Sequence, residues 1–195
     1  KRYEEKGFGT PTGKVELHST VLEKMGYDPL PSFREPLESP VSSPDLAREY
    51  PLILTTGGRF LPYYNAEHRQ IAQHRKRYPW PKMEIHPETA KSLGIEDGQW
   101  VWIESPRGRC RQTAEYDKNI HPGVVHAQHG WWFPEEPGEE PSLHGLWKSN
   151  INILTDDEPD HCNPINGGWP LRAFLCKVYP CKPEEVWEGE TANVG

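Results

Sequence analysis

The sequence predicts a mainly β fold with short helices, closed into a barrel whose ligand loops gather at one end. Three observations point there: two strand-like runs that lead to Gly-Gly turns, two short apolar runs with polar ends, and a compact helix leading straight into a hairpin. Composition agrees, since 21 prolines and 17 glycines with only 34% hydrophobic residues in 195 favour short elements and many loops over a helical bundle. Eight Trp and eight Tyr supply large rigid contact areas with a polar tip, which suits interfaces and ligand walls. A net charge of −7 argues against a general nucleic-acid binder, while a local patch can still bind phosphates. The four cysteines, at 110, 162, 176 and 181, form no CxxC pair. Thiols are therefore expected, with a single bridge left open, and a reducing compartment is favoured. No apolar targeting segment or membrane-spanning run is present, and a chain starting at Lys1 reads as a piece of a longer polypeptide.

Residues 1–50 read as an edge strand at Val15-Glu16-Leu17, a short helix and a proline-rich strap. Thr20 with Glu23 has capping-box spacing and Gly26 is a natural stop. Prolines 29, 31, 36, 40 and 44 forbid regular structure over much of 27–51, so this segment is a flexible linker or a docked strap.

Residues 51–180 hold the expected barrel. Leu52-Ile53-Leu54 suits a strand buried on both faces, and Thr55, Thr56, Gly57 and Gly58 end it before Arg59. Such a corner can present backbone N–H groups and a planar guanidinium to an anion or a flat heterocycle; an ordinary turn with a solvated arginine is the alternative. His68, Arg69, His74, Arg75, Lys76 and Arg77 form the one concentrated basic segment, read as a phosphate contact or a solvated face. Pro87 at N1, Glu88 in the first turn and Gly94 at C′ define a helix of about two turns. Gln99–Glu104 and Arg109–Tyr116, joined by Ser-Pro-Arg-Gly, form a hairpin covered on both faces. Val124 opens a strand that ends in the aromatic cluster Trp131-Trp132-Phe133. His126 and His129, with His121 upstream, serve as ligand wall or packing; a zinc site would need distant Asp or Cys ligands. Asn150-Ile151-Asn152 reads as a strand that points both amides to one side before Thr155. Gly167-Gly168 is the second double-glycine turn, and 171–178 a closing strand. Residues 181–195 are expected to be a polar, loosely held tail.

The stretches TPTGKVELHS, LTTGGRFLPYY with HRQ, EIHPETAKSLGIEDGQWVWIESPRGR, HGWWFPE, NINILTDD and NGGWPLR occur in this order over most of residues 7–178. Together they resemble the C-terminal molybdopterin-dinucleotide-binding domain of the dimethyl sulfoxide reductase family of molybdenum and tungsten oxidoreductases. The resemblance implies a six-stranded double-psi β-barrel covering molybdopterin guanine dinucleotide, with Mo or W. It implies that Thr55, Thr56, Gly57, Gly58 and Arg59 hold a pterin-phosphate limb, with His68 and Arg69 beside them. Gln128, His129, Gly130 and Trp131 would line the funnel, and Asn152, Thr155, Gly167, Gly168 and Arg172 would meet pterin edges. Asn65 stands where many relatives carry histidine, so no catalytic duty is assigned to it. The metal's protein ligand and an iron–sulfur cluster are expected only in upstream domains. Those domains, and an iron–sulfur electron-transfer subunit, are the expected partners, with no nucleic acid and no direct membrane insertion. A bacterial anaerobic dehydrogenase is implied, cytoplasmic by preference, with the periplasm open because a signal would lie upstream. The fragment alone is expected to be inert, because the cofactor carries the redox chemistry. Two other readings stand beside this one: a stand-alone β-barrel protein-interaction module, and a small zinc hydrolase using His126, His129 and a carboxylate.

Overall fold

The computed structural model describes residues 1–186, which divide into a unit of Lys1–Glu35 and a unit beginning at Pro36. The first unit contains helices α1 (Arg2–Lys6) and α2 (Thr20–Lys24) and has no buried residue. Ser19, not Thr20, caps α2: its hydroxyl accepts from the Leu22 N–H at 3.2 Å, while the Thr20 hydroxyl donates to Glu16 at 3.1 Å. Gly26, at φ 81°, ends the helix as its sequence position suggests. The expected strand at 15–17 does not form. Val15 and Leu17 are 62% and 83% exposed, and an isolated extended triplet has no ladder partner in that unit.

The second unit starts with a seryl knot, in which the Ser42 hydroxyl donates to the Pro36 carbonyl at 2.7 Å and the Ser43 hydroxyl to the Leu37 carbonyl at 2.9 Å. Helix α3 (Pro44–Glu49) follows inside the segment expected to be irregular, because Pro44 occupies the first helical position, where no N–H is needed. Glu38 anchors the strap to the barrel by accepting from Arg107 and from the Leu175 N–H.

The barrel itself comprises β1 (Leu52–Gly58), β2 (Lys82–Ile85), β3 (Trp100–Ser105), β4 (Gly108–Tyr116), β5 (Val124–Gln128) and β6 (Arg172–Pro180). They close in the order β1-β5-β2-β4-β3-β6. β1/β5 and β2/β4 pair in parallel and the other neighbours antiparallel, so the expected six-stranded barrel forms and its strand directions are mixed. Alternate residues fill it: Leu54, Met83, Ile85, Val101, Ile103, Cys110, Val125 and Ala127 are each 0% exposed. Ile53 on the outer face of β1 is half-buried, so that strand alternates instead of being covered on both faces.

Short helices bridge the strands. α4 (Ala72–Arg77) carries the basic run, and α5 (Pro87–Ser92) begins where the His86 ring accepts from the Glu88 N–H and gives way to Gly94 at φ 68°. The hairpin β3/β4 turns tightly at Pro106-Arg107, with Ser105 opposite Gly108. α6 (Leu146–Ser149) leads into a 3₁₀ turn at Ile151–Leu154, where a strand was expected. The cause is local: the Asn150 carboxamide accepts from the Asn152 N–H at 3.0 Å, closing a turn that a strand would have to open. The expected loose tail is held as far as it is described, with the Cys181 N–H on the Trp100 carbonyl and the Trp102 indole on Glu185. Its remainder, 187–195, lies outside the described residues. No disulfide joins the four cysteines, and burial pushes the thiols of Cys110 and Cys176 up.

Candidate functional site

One end of the barrel opens into a cavity of about 190 Å³ lined by Thr56, Gly57, Arg59, His129, Asn152, Leu171 and Arg172. Two irregularities in the barrel wall make it. Between Thr55 and Gly58 the β1/β5 register slips, and between Leu54 and Thr55 the β1/β6 register slips, leaving Ala173 without an opposite residue. A bulge bends its strand and re-aims side chains at a rim, which is the effect here. Gly57 sits in the first bulge at φ 91°, a conformation that suits glycine. Ala173 holds φ 75° in the second, so a strained backbone residue flanks Arg172. Gly58 has a packing role, since a Cβ there would lie 2.9 Å from the Ala127 carbonyl oxygen.

The polar groups at the cavity are differently engaged. Thr56 is spent structurally, its hydroxyl donating to the Leu171 carbonyl and stitching β1 to the approach of β6. Arg59 donates from Nε to Asn65 Oδ1 at 3.1 Å and lies 5.1 Å over the Tyr64 ring, with its remaining N–H groups uncommitted. Among the described residues neither Arg59 nor Arg172 has a carboxylate partner, and no hydrogen bond engages the exposed Asn152 carboxamide. His129 donates its backbone N–H to the Gly58 carbonyl at 3.0 Å. Its imidazole is held below the usual range, first by burial and then by the Arg59 and Arg69 charges. His126, hydrogen-bonded at 2.7 Å between Nδ1 and Thr55 Oγ1, is depressed by burial and by Arg172. The site is thus cationic, with neutral imidazoles favoured.

Six residues named from sequence therefore meet at one cavity: Thr56, Gly57, Arg59, His129, Asn152 and Arg172. The others lie elsewhere. Arg69 is fully buried, and burial pushes its guanidinium down to about 10. Trp131 is also fully buried, packed between Tyr63 and Phe133. Gln128, 2% exposed, accepts from the Lys82 N–H and holds Gln112 through its backbone. Gly130, at φ 62°, packs against Ala66, and the exposed His68 ring meets His74 edge-on. The Thr155 hydroxyl donates to the Asn152 carbonyl at 2.9 Å, ending the 3₁₀ turn. Around Gly167-Gly168 both N–H groups are used within the loop, on the Asn163 carbonyl and on Asn166 Oδ1, each at 2.8 Å. Leu171 was not named as a site residue, and nothing in its local sequence would have singled it out; Asn65, to which no duty was assigned, accepts from Arg59 without lining the cavity. Among the described residues no group of three His, Cys, Asp or Glu is placed to hold a metal ion, and no helix is long and apolar enough to cross a membrane.

The donor set fits a phosphorylated, flat heterocycle: two unpaired guanidiniums for charge, one uncommitted carboxamide for a mixed donor–acceptor edge, and a bulged glycine backbone for close approach. A cavity of this size admits a limb of a dinucleotide, not the whole.

Comparison with known proteins agrees. The family described as Molydopterin dinucleotide binding domain matches residues 52–171. The chain is 40% identical over 177 residues to acetylene hydratase of Syntrophotalea acetylenica, an overlap of 90% of this chain and 24% of that protein. It is 39% identical over 182 residues to dopamine dehydroxylase of Eggerthella lenta, covering 91% of this chain and 17% of the relative. With trimethylamine-N-oxide reductase of Haemophilus influenzae the identity is 40% over 161 residues, 77% of this chain and 18% of the other. The solved structure of acetylene hydratase from Pelobacter acetylenicus matches with a TM-score of 0.84 at 39% identity, over 90% of this chain and 24% of that one. The chain therefore spans about a quarter or less of the length of these relatives.

Proposed function

Because the chain belongs to the molybdopterin dinucleotide-binding domain family, we propose that its rim cavity grips one limb of a molybdopterin guanine dinucleotide within a larger molybdenum or tungsten enzyme. The observation that carries this reading is the pair of guanidiniums, Arg59 and Arg172, facing one cavity with no carboxylate among the described residues paired to either. Arg59 and Arg172 would hold phosphate oxygens by charge-assisted hydrogen bonds. Asn152 would read the pterin edge with one donor and one acceptor, and neutral His129 would supply a further donor or acceptor beside it. Leu171 and the bulged backbone at Gly57 line the remaining sides. The bound group supplies the metal-centred chemistry. In this reading the chain's own residues bind and orient the group.

Acetylene hydration, dehydroxylation and N-oxide reduction are named for the relatives, and this chain contributes the same grip to whichever of these reaction types its parent performs. The remaining domains of that polypeptide would supply the metal's protein ligand and any iron–sulfur cluster, and an electron-transfer subunit would serve the redox members. The test is Arg172→Ala in the full-length enzyme, with pterin content per polypeptide as readout. Loss of one charged contact should weaken retention by about tenfold. Wild-type pterin content in the variant would overturn the assignment.

A further inference from the structure

Arg69 is 0% exposed and makes no ion pair within 4 Å among the described residues, with Glu67 acting on its charge only from farther off, so the burial must be offset by good use of its donors. They are used on backbone. Nη2 donates to the Asn65 carbonyl at 2.6 Å and to the His129 carbonyl at 3.4 Å, and Nη1 donates to the Glu67 carbonyl at 2.9 Å. The planar guanidinium is held between two rings, 4.1 Å over Tyr63 and 4.8 Å from the Trp131 centroid. Its Nε remains without a partner.

The three carbonyls lie on two separate stretches of chain, each of which also carries a cavity residue. Asn65 and Glu67 lie in the loop that leaves β1, and the Asn65 side chain is the acceptor that orients Arg59. His129 is the residue that leaves β5, and it lines the cavity directly. One buried fork therefore ties the carrier of Arg59 to His129 across 60 residues of sequence. A lysine could not do this, because a single ammonium lacks the planar, spread donors.

We propose that Arg69 is a positioning residue: it does not touch the cofactor but fixes Arg59 and His129 relative to each other so that both meet it. This rests on the reading of the cavity as a pterin-dinucleotide grip, and it changes the role of Arg69 from ligand to strut. Removing such a support typically costs about tenfold in retention of the group it serves.

The experiment uses the full-length holoenzyme and follows the rate of pterin loss after dilution, with a thermal melt beside it, for Arg59→Ala, Arg69→Lys and the double variant. The expected result is cofactor loss about tenfold faster in each single variant and no faster in the double, because both changes remove the same oriented contact. Arg69 that merely supports the fold would lower the melting temperature while its effect multiplied with that of Arg59→Ala; that result overturns the proposal, as does wild-type retention in Arg69→Lys. Wild-type retention in Arg59→Ala would instead remove the grip reading itself. Should Arg69→Lys yield no folded enzyme, Asn65→Ala decides, since it deletes the Arg59 acceptor and leaves the buried fork and its carbonyls in place. It should match Arg59→Ala, and unchanged cofactor loss there overturns the coupling.

Discussion

At the end of β1 the pair Gly57-Gly58 lies inside the barrel wall, whereas Gly167-Gly168 lies in a loop whose N–H groups are spent on Asn163 and Asn166. The two pairs look alike in sequence. In the first, one glycine supplies a left-handed bulge and the other lets β1 approach the Ala127 carbonyl, and both effects bear on the cavity. In the second, neither glycine lines the cavity; the contribution comes three and four residues later, from Leu171 and Arg172. A double glycine thus marks where backbone can go. What it presents to a ligand depends on whether the neighbouring polar groups have already claimed its donors.

The widest gap between the corners should appear in stability. Gly58→Ala places a Cβ 2.9 Å from a backbone oxygen that cannot give way and should cost about 1 to 3 kcal/mol in a urea titration. Gly168→Ala meets only the Asn166 side chain at 3.1 Å and should stay within about 0.5 kcal/mol. Equal losses would erase the distinction drawn here. A smaller effect of opposite sign sharpens it. Strain at the second corner resides in Ala173 at φ 75°, so Ala173→Gly should raise stability by about 0.5 to 1 kcal/mol by the same measurement.

The same contrast explains what could be read from the sequence. Elements specified by neighbours in the chain were legible: Pro87 and Gly94 bracket α5, and the alternation of Val101 and Ile103 against Trp100 and Trp102 gives the hairpin. Asn150–Leu154 was misjudged because an apolar run of this length suits strand or turn, and a single side-chain cap decides. The cavity was half legible for a related reason. Arg59 and Arg172 remain solvated, as charged residues usually are, while Arg69 is drawn inside by Tyr63 and Trp131, and Trp131 lies 62 residues away. No local pattern distinguishes these arginines. The Ala173 bulge was invisible for want of a glycine or asparagine to announce it.

Acid should act on the histidines of the first corner and meet no titratable group in the 163–168 loop of the second, which is the finest test of the comparison. His126 is held below the usual imidazole range by burial and then by Arg172, and His129 by burial and then by Arg59 and Arg69, with Glu67 opposing. In the unfolded chain both titrate near about 6.5. Just below that pH the unfolded chain binds more protons than the folded one, so stability is full above it and is lost as pH falls toward the depressed folded values. Carboxylates titrate lower, which leaves a window of about pH 5 to 7 for the histidines. Residues 163–168 contain no titratable group and contribute nothing there. Arg172→Ala removes one of the two causes acting on His126 while burial persists, so its urea midpoint should fall less steeply between pH 7 and 5 than that of the wild type. An unchanged slope would mean that Arg172 does not reach His126 electrostatically, and that the cation pair at this rim is weaker than its geometry suggests.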